Sequence, residues 1–317
     1  MLRRSRVGTE SAHRSHPASR QRAARLMVLA TILATGGAIT ATDGVALAGT
    51  GGLVYIRSAV LPLPDTSGSG DGVTAASLAC PSRHRNPTGG GVNISGPDPN
   101  LDLEIKSSGP GVLDDRWDVQ GNNSSGSDAH MTLYAICSSS HLVYVHKTAH
   151  VPAGGTESAK ARCPAGTKVV GGGVSTVGGD HSVEVNSSEP ADGSDSNHKP
   201  DDAWFGTANN GFGADLTMEV DAICSGHGQY TVVAGQRTTV PDGAIATSAV
   251  RCPHGTRVTG GGTDIDRPDT SLEVHDGFPI DGNDADTTRD DGWQSTVYND
   301  DSGNTAHMKT FAICKKV

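Results

Sequence analysis

The sequence predicts an all-β fold of three homologous, disulfide-stapled units that close on one another with pseudo-threefold symmetry. Three observations carry that expectation. The stretch CPAGTKVVGGG, from Cys163 to Gly173, returns as CPHGTRVTGGG from Cys252 to Gly262 and, altered, as CPSRHRNPTGGG from Cys80 to Gly91. Around these stretches lie short β-branched or aromatic runs bounded by Gly, Pro, Asn, Asp and Ser clusters, the pattern of strands and turns. No amphipathic helical period interrupts them after residue 48.

The first 48 residues read as an export signal. Seven arginines precede Leu26, the apolar run LMVLATILATGGAITA follows, and Ala46-Leu47-Ala48 supplies an A-x-A cleavage pattern. The run is about 16 residues long, short of the roughly 20 that a spanning helix needs. Cleavage after Ala48 and secretion are expected, with no membrane span in the mature form.

Residues 49–317 then hold units 53–138, 142–225 and 230–317, repeating at about 88 residues. Each unit opens on a strand that closes on proline: LVYIRSAVLP, LVYVHKTAHVP and YTVVAGQRTTVP. The Cys-Pro strand ending in three glycines follows. A third strand is Leu103–Ile105, Val183–Val185 or Leu272–Val274. After an acidic loop comes D-D-x-W, which contains all three tryptophans, then asparagine-rich turns at Asn122-Asn123, Asn209-Asn210 and Asn299. Every unit closes on Ala-Ile-Cys. Only three to five residues separate that closing strand from the next opening strand, as in AICSSSHLVYVH, so the two are expected to pair as a hairpin. Pairing of the C-terminal AICKKV with the N-terminal LVYIRS would then leave no edge over.

All six cysteines follow the leader, and an even count in an oxidising compartment implies disulfides. Two pairings respect the repeat. One joins Cys80–Cys137, Cys163–Cys224 and Cys252–Cys314 within units; the other joins Cys137–Cys163, Cys224–Cys252 and Cys314–Cys80 between them. The first is preferred, because each unit then carries its own staple. With aromatics at 4% of the chain the core must be thin, and cross-links compensate for limited apolar burial.

The chain carries 25 Lys and Arg against 35 Asp and Glu; the leader removes seven and two, leaving 18 against 33, a net charge of −15. Such a surface repels phosphate backbones, which excludes nucleic acid as a partner. It equally disfavours anionic membranes and polysaccharides. Neutral glycans, cell-surface material and divalent cations stay open.

The pattern C-P-x-G-T-x-V-x-G-G-G, followed by Trp and closed by A-I-C, resembles repeats of secreted actinobacterial proteins of no assigned function, over nearly all of residues 53–317. The first unit departs from it, with one extra residue before the glycines and no Gly-Thr after Cys-Pro. A looser likeness, in the threefold plan and a Cys-Pro start, is to the vitelline membrane outer layer protein. That likeness implies a β-prism-like fold and a non-catalytic extracellular or carbohydrate-associated role.

The glycines read either as a backbone cleft for a ligand or as room for the unit's own Trp or a neighbouring backbone. Trp117, Trp204 and Trp293 read either as core anchors or as faces stacking on a sugar. In the second reading Asp115, Asp202 and Asp291 would bond its hydroxyls or a calcium ion. Those six are the candidate ligand residues, and calcium is the one cofactor considered. Glu104, Glu184 and Glu273, each between two apolar strand residues, read as a solvated face or as a carboxylate ring around the threefold axis. The Asp-rich stretch from Asp264 to Asp291 lacks the EF-hand spacing and reads as a solvated loop. No G-x-S-x-G or H-E-x-x-H is present. His146 and His150, four apart on a strand, are separated by roughly 13 Å. The expectation is therefore a non-enzymatic extracellular binding or structural protein. The alternative is a secreted polysaccharide hydrolase using a carboxylate pair such as Glu184 with Asp202.

Overall fold

The structure is a computed structural model and describes residues 39–41, 45–47 and 52–317, apart from 66–72, 97–102, 180–181, 194–196, 198, 268–270, 283–285 and 301–302. Most of the expected leader, 1–48, lies outside the described residues. Its described parts are two short strands, β1 (Ile39–Ala41) and β2 (Val45–Leu47). The first unit then runs β3 (Leu53–Arg57), β4 (Leu61–Leu63), β5 (Val73–Ala79), β6 (Asn86–Ser95), β7 (Leu103–Pro110), β8 (Arg116–Asn123) and β9 (Ala129–Ser138). The second runs β10 (Val143–Val151), β11 (Gly155–Arg162), β12 (Lys168–Val177), β13 (Val183–Ala191), β14 (Ala203–Asn210) and β15 (Leu216–Ser225). The third runs β16 (Tyr230–Ala234), β17 (Thr238–Val240), β18 (Ala244–Arg251), β19 (Thr256–Ile265), β20 (Leu272–Ile280), β21 (Gly292–Asn299) and β22 (Ala306–Lys316). No helix occurs among the described residues, and the chain is all-β, as its punctuation by Gly, Pro and Asn predicts.

Every unit divides into two half-sheets. In the second unit, β10, β15 and β12 form one, and β11, β14 and β13 form the other. Each complete sheet joins the second half-sheet of one unit to the first half-sheet of another. The orders are β5-β8-β7-β12-β15-β10, β11-β14-β13-β19-β22-β16 and β18-β21-β20-β6-β9-β3. The partners are thus units 1 and 2, 2 and 3, and 3 and 1, a threefold arrangement of three sheets. Equivalent pairs mark the joins: Ser108 with Val174, Ser188 with Thr263, and Gly277 with Val92. β1 and β2 extend two of these sheets, pairing with β5 and β3.

Four expectations are corrected. The closing strand does not form a hairpin with the next opening strand. Val54 pairs with Cys137, Val143 with Cys224 and Thr231 with Cys314, so each opening strand returns to its own unit's closing strand. Nor does the C-terminal strand pair with the N-terminal one. Both edges of β9 are already occupied, by β6 and β3, and the short linker hands the chain to a different sheet. The glycine triplet does not end its strand; in β12 it is followed by Val174–Val177. Finally, a separate strand precedes each cysteine (β5, β11 and β18), and Cys-Pro begins a turn. Thr167 N–H donates to Pro164 C=O and Thr256 N–H to Pro253 C=O, with Gly166 at φ 81° and Gly255 at φ 79°. The first unit has no glycine there; His84 N–H closes the turn onto Pro81, and Arg85 is the added residue.

The disulfides are Cys80–Cys137, Cys163–Cys224 and Cys252–Cys314, the within-unit set. Each ties the end of one half-sheet to the closing strand of the other, across a corner between two sheets. Their sequence separations of 57, 61 and 62 residues correspond to roughly 4 kcal/mol each in the loop-entropy account. The recurrent asparagines complete the corner. Asn123, Asn210 and Asn299 are fully buried, and their amides donate to Leu63, Val151 and Val240 C=O at the close of each opening segment.

Candidate functional site

D-D-x-W is the first place to look for a ligand, and its residues are engaged in packing. Trp117, Trp204 and Trp293 are 1%, 0% and 3% exposed. Each ring lies on the middle glycine of its own unit's triplet; a Cβ on Gly90 would come 2.5 Å from Trp117 Cγ. The outer two glycines meet other units. A Cβ on Gly89 would stand 2.8 Å from Gly260 Cα, and one on Gly173 2.5 Å from Gly109 Cα. Both packing explanations of the triplet hold at once, divided among its three positions. The indole N–H of Trp117 donates to Ser108 Oγ and that of Trp204 to Ser188 Oγ, each at 3.0 Å. In the third unit the matching residue is Gly277, and Trp293 Nε1 is buried without an acceptor. No ring offers a face to a sugar, which corrects the stacking expectation for the three tryptophans.

The aspartates act locally. The C=O groups of Asp115, Asp202 and Asp291 accept the N–H of Cys80, Cys163 and Cys252, and so fix the staple. The Asp202 carboxylate accepts from Gly193 N–H, and that of Asp291 from Gly282 N–H at 2.9 Å. Arg257 clamps the third copy, with Nε 3.0 Å from Asp290 and an η nitrogen 2.7 Å from Asp291. Asp264 lies within β19 and Asp290 is 2% exposed, so the expected solvated loop is partly strand and partly buried ion pair. The hydrolase pair also fails on distance. Glu184 pairs across from Asn209, while Asp202 precedes Ala203 at the other end of β14. Six or seven residues of strand put them roughly 20 Å apart, beyond the 5–9.5 Å that glycoside hydrolysis uses.

The third strands β7, β13 and β20 converge, and they bring Glu104, Glu184 and Glu273 together. One carboxylate oxygen from each lies within 4.8 Å of the others. Glu104 and Glu273 are each 5% exposed, so the solvated-face reading is corrected and the carboxylate ring is what forms. Asn122 donates to Glu104 at 3.4 Å. Burial pushes Glu184 up to about 7; burial and the neighbouring Glu104 and Glu184 push Glu273 well above the usual carboxylate range. Three carboxyl groups this close and this buried favour the protonated form in at least one of them. The ring's charge is therefore relieved by protonation.

A second cluster lies on the sheet shared by units 1 and 2. His146 of β10 stands opposite Asp221 of β15, and Glu219 lies two residues along on the same face. His146 Nδ1 contacts Asp221 Oδ1 and is 4.0 Å from Glu219 Oε1. Asp221 is fully buried, while the His146 and Glu219 side chains keep 15% and 14% exposure. His150 goes elsewhere, to Asp215 at 3.0 Å. The sequence hid this set, since Asp221 is 75 residues from His146. No histidine recurs at that position; the readable signal was only that Asp221 interrupts an apolar closing strand.

The other two sheets carry different residues at the matching place. On the sheet of units 3 and 1, Tyr134 stacks on Phe278 at 5.6 Å between ring centres, with the Arg289 guanidinium over both rings. On the sheet of units 2 and 3, Phe311 lies beneath Lys309. There burial, with Asp264 adding to it, pushes Glu189 up to about 8.

Gly90, Trp117, Gly172, Ser188 and Trp293 help line one internal cavity of about 40 Å³. That volume suits one to three waters and is far below the roughly 300 Å³ of a small-ligand pocket.

No family model matches the chain, and no curated protein matches it. Among solved structures the chain is similar to one described as the triple jelly roll fold and turret assembly in an archaeal virus. The similarity covers 86% of this chain and 88% of that one, at 10% identity and a TM-score of 0.20, too low to carry any argument. Among the described residues no helix is long and apolar enough to cross a membrane.

Proposed function

We propose that this is a secreted, non-enzymatic extracellular protein whose repeated residues build a rigid body rather than a set of ligand sites. The observation that carries the reading is the burial of all three tryptophans at 3% exposure or less, each against a glycine of its own unit. The features that recur three times, namely Cys-Pro, the glycine triplet, D-D-x-W and Ala-Ile-Cys, are engaged in staples, turns and packing. The disulfides, the export signal and the net charge of −15 after its removal favour the outside of the cell and argue against nucleic acid. Contact with neutral glycans or cell-surface material would then use residues peculiar to one unit.

Tryptophan fluorescence tests the reading. The expected emission is blue, resists acrylamide, and does not respond to a panel of neutral glycans with or without calcium. Strong quenching together with a saturable shift on one glycan would restore the sugar-stacking reading of the three tryptophans and overturn this one.

A further inference from the structure

We propose that His146, Glu219 and Asp221 form a binding site for one divalent transition-metal ion, with zinc the best match. This goes beyond the non-enzymatic reading and does not depend on it. The three ligand atoms, one nitrogen and two carboxylate oxygens, lie within 4.8 Å of one another. A zinc shell with bonds of about 2.0–2.2 Å sets tetrahedral ligand atoms roughly 3.3 Å apart. Small side-chain rotations therefore close the set on an ion, which would sit between the paired strands β10 and β15.

Charge supports the assignment. Even with His146 protonated, the cluster keeps a net charge of −1 around Asp221, which is fully buried. A divalent ion on two carboxylates and a neutral imidazole brings the sum to zero. Imidazole together with carboxylate favours zinc and its neighbours over calcium or magnesium, which prefer all-oxygen shells.

The fold does not require these residues, which is an independent indication that the place is specialised. The positions matching Asp221, each opposite the last glycine of a triplet, are Tyr134 and Phe311. Those matching His146 are Arg57 and Ala234. Those matching Glu219 are Thr132 and Lys309. Facing Asp221 from the first unit is Gly109, where the other sheets have Glu189 and Phe278. A Cβ on Gly109 would come 3.3 Å from Asp221 Oδ2 and 3.1 Å from Ser175 Oγ. Two aromatic-to-polar and bulky-to-small exchanges thus coincide at one spot. The residual exposure of His146 and Glu219 leaves an ion a way in, and three protein ligands leave a fourth position for water.

The test uses the full secreted chain, stripped with chelator and titrated with zinc chloride by calorimetry. The expected result is one saturable site per chain, weakened at least tenfold by His146→Ala and by Glu219→Gln, and unchanged by Glu273→Gln at the axis. Asp221→Asn should abolish binding; if that variant does not fold, the two partly exposed ligands still decide the matter. An absence of saturable binding, or unchanged affinity in both His146→Ala and Glu219→Gln, would reduce the cluster to a buried ion pair. Displacement of zinc by a tenfold excess of calcium would overturn the choice of metal.

Discussion

The axis and the outer faces of this molecule were built from the same repeat and have diverged in opposite directions. At the axis the three units repeat three pairings: glycine against glycine, glutamate against glutamate, tryptophan over glycine. At the matching place on the three faces they share nothing. One face has His146 and Asp221, one stacks Tyr134 on Phe278, and one sets Glu189 beside Lys309. Where three copies meet one another, a change in one is felt by all; where only two meet, as Gly109 meets Asp221 or Tyr134 meets Phe278, it is felt by one pair. Recurrence here marks the residues that hold the body together. Singularity marks the residues open to new chemistry.

The strongest way to break this contrast is at the triplet. Gly90→Ala would place a Cβ 2.5 Å from both Trp117 Cγ and Tyr134 O. Overpacking against a ring and a backbone carbonyl together should cost about 3 kcal/mol or more, read as a lower urea midpoint or failed secretion. A loss under about 0.5 kcal/mol, the size expected of surface changes, would mean the triplet is not the packing constraint described here.

The axial carboxylates sharpen the contrast through pH. Glu184 and Asp276 are each pushed up to about 7 by burial. From about pH 4.5 to 7 the native state holds protons that the unfolded chain has released, so stability falls as pH rises through that window. His275 works the other way. Burial lowers it to about 4, so the unfolded chain takes the proton first as pH falls below about 6.5, and that group costs stability at acid pH. Asp300 also faces Glu184 and Glu273. Comparing wild type with Glu184→Gln isolates one member. The variant should gain a few kcal/mol on wild type between pH 4.5 and 8, and superimposable stability profiles would show that the ring does not share protons.

The smallest effect tests a place where the third unit departs from the other two. Gly277→Ser supplies the hydroxyl that Ser108 and Ser188 give the other tryptophans. A Cβ at Gly277 would meet Trp293 Nε1 at an ordinary 3.5 Å. The variant should gain about 1 kcal/mol, seen as a rise in Tm of a few degrees. A fall in Tm would mean the cavity there tolerates no added atom.

Much of this was legible from the residues. The repeat left two symmetric cysteine pairings, of which the preferred within-unit set is the one that forms, and the companionship of each triplet with a tryptophan gave the packing of glycine against ring. Other features were not. A glutamate between two apolar strand residues normally faces water; here the opposite face of the strand is turned toward two copies of itself, which one unit's sequence cannot reveal. The Ala-Ile-Cys hairpin failed for a related reason. Nearness along the chain is a good guide to pairing only when a strand has an edge free, and β9 has none. His146 and Asp221 lie 75 residues apart with no counterpart elsewhere, so no internal comparison could bring them together.

The division of every unit between two sheets bears on how such a protein can evolve. In a solenoid a duplicated repeat simply lengthens the stack. Here an inserted fourth copy would have to break a join between neighbours and widen the angle at every corner, while a deleted copy would strand two half-sheets with unpaired edges. Loops and faces can change one at a time, whereas a change in repeat number must remake the joins between sheets.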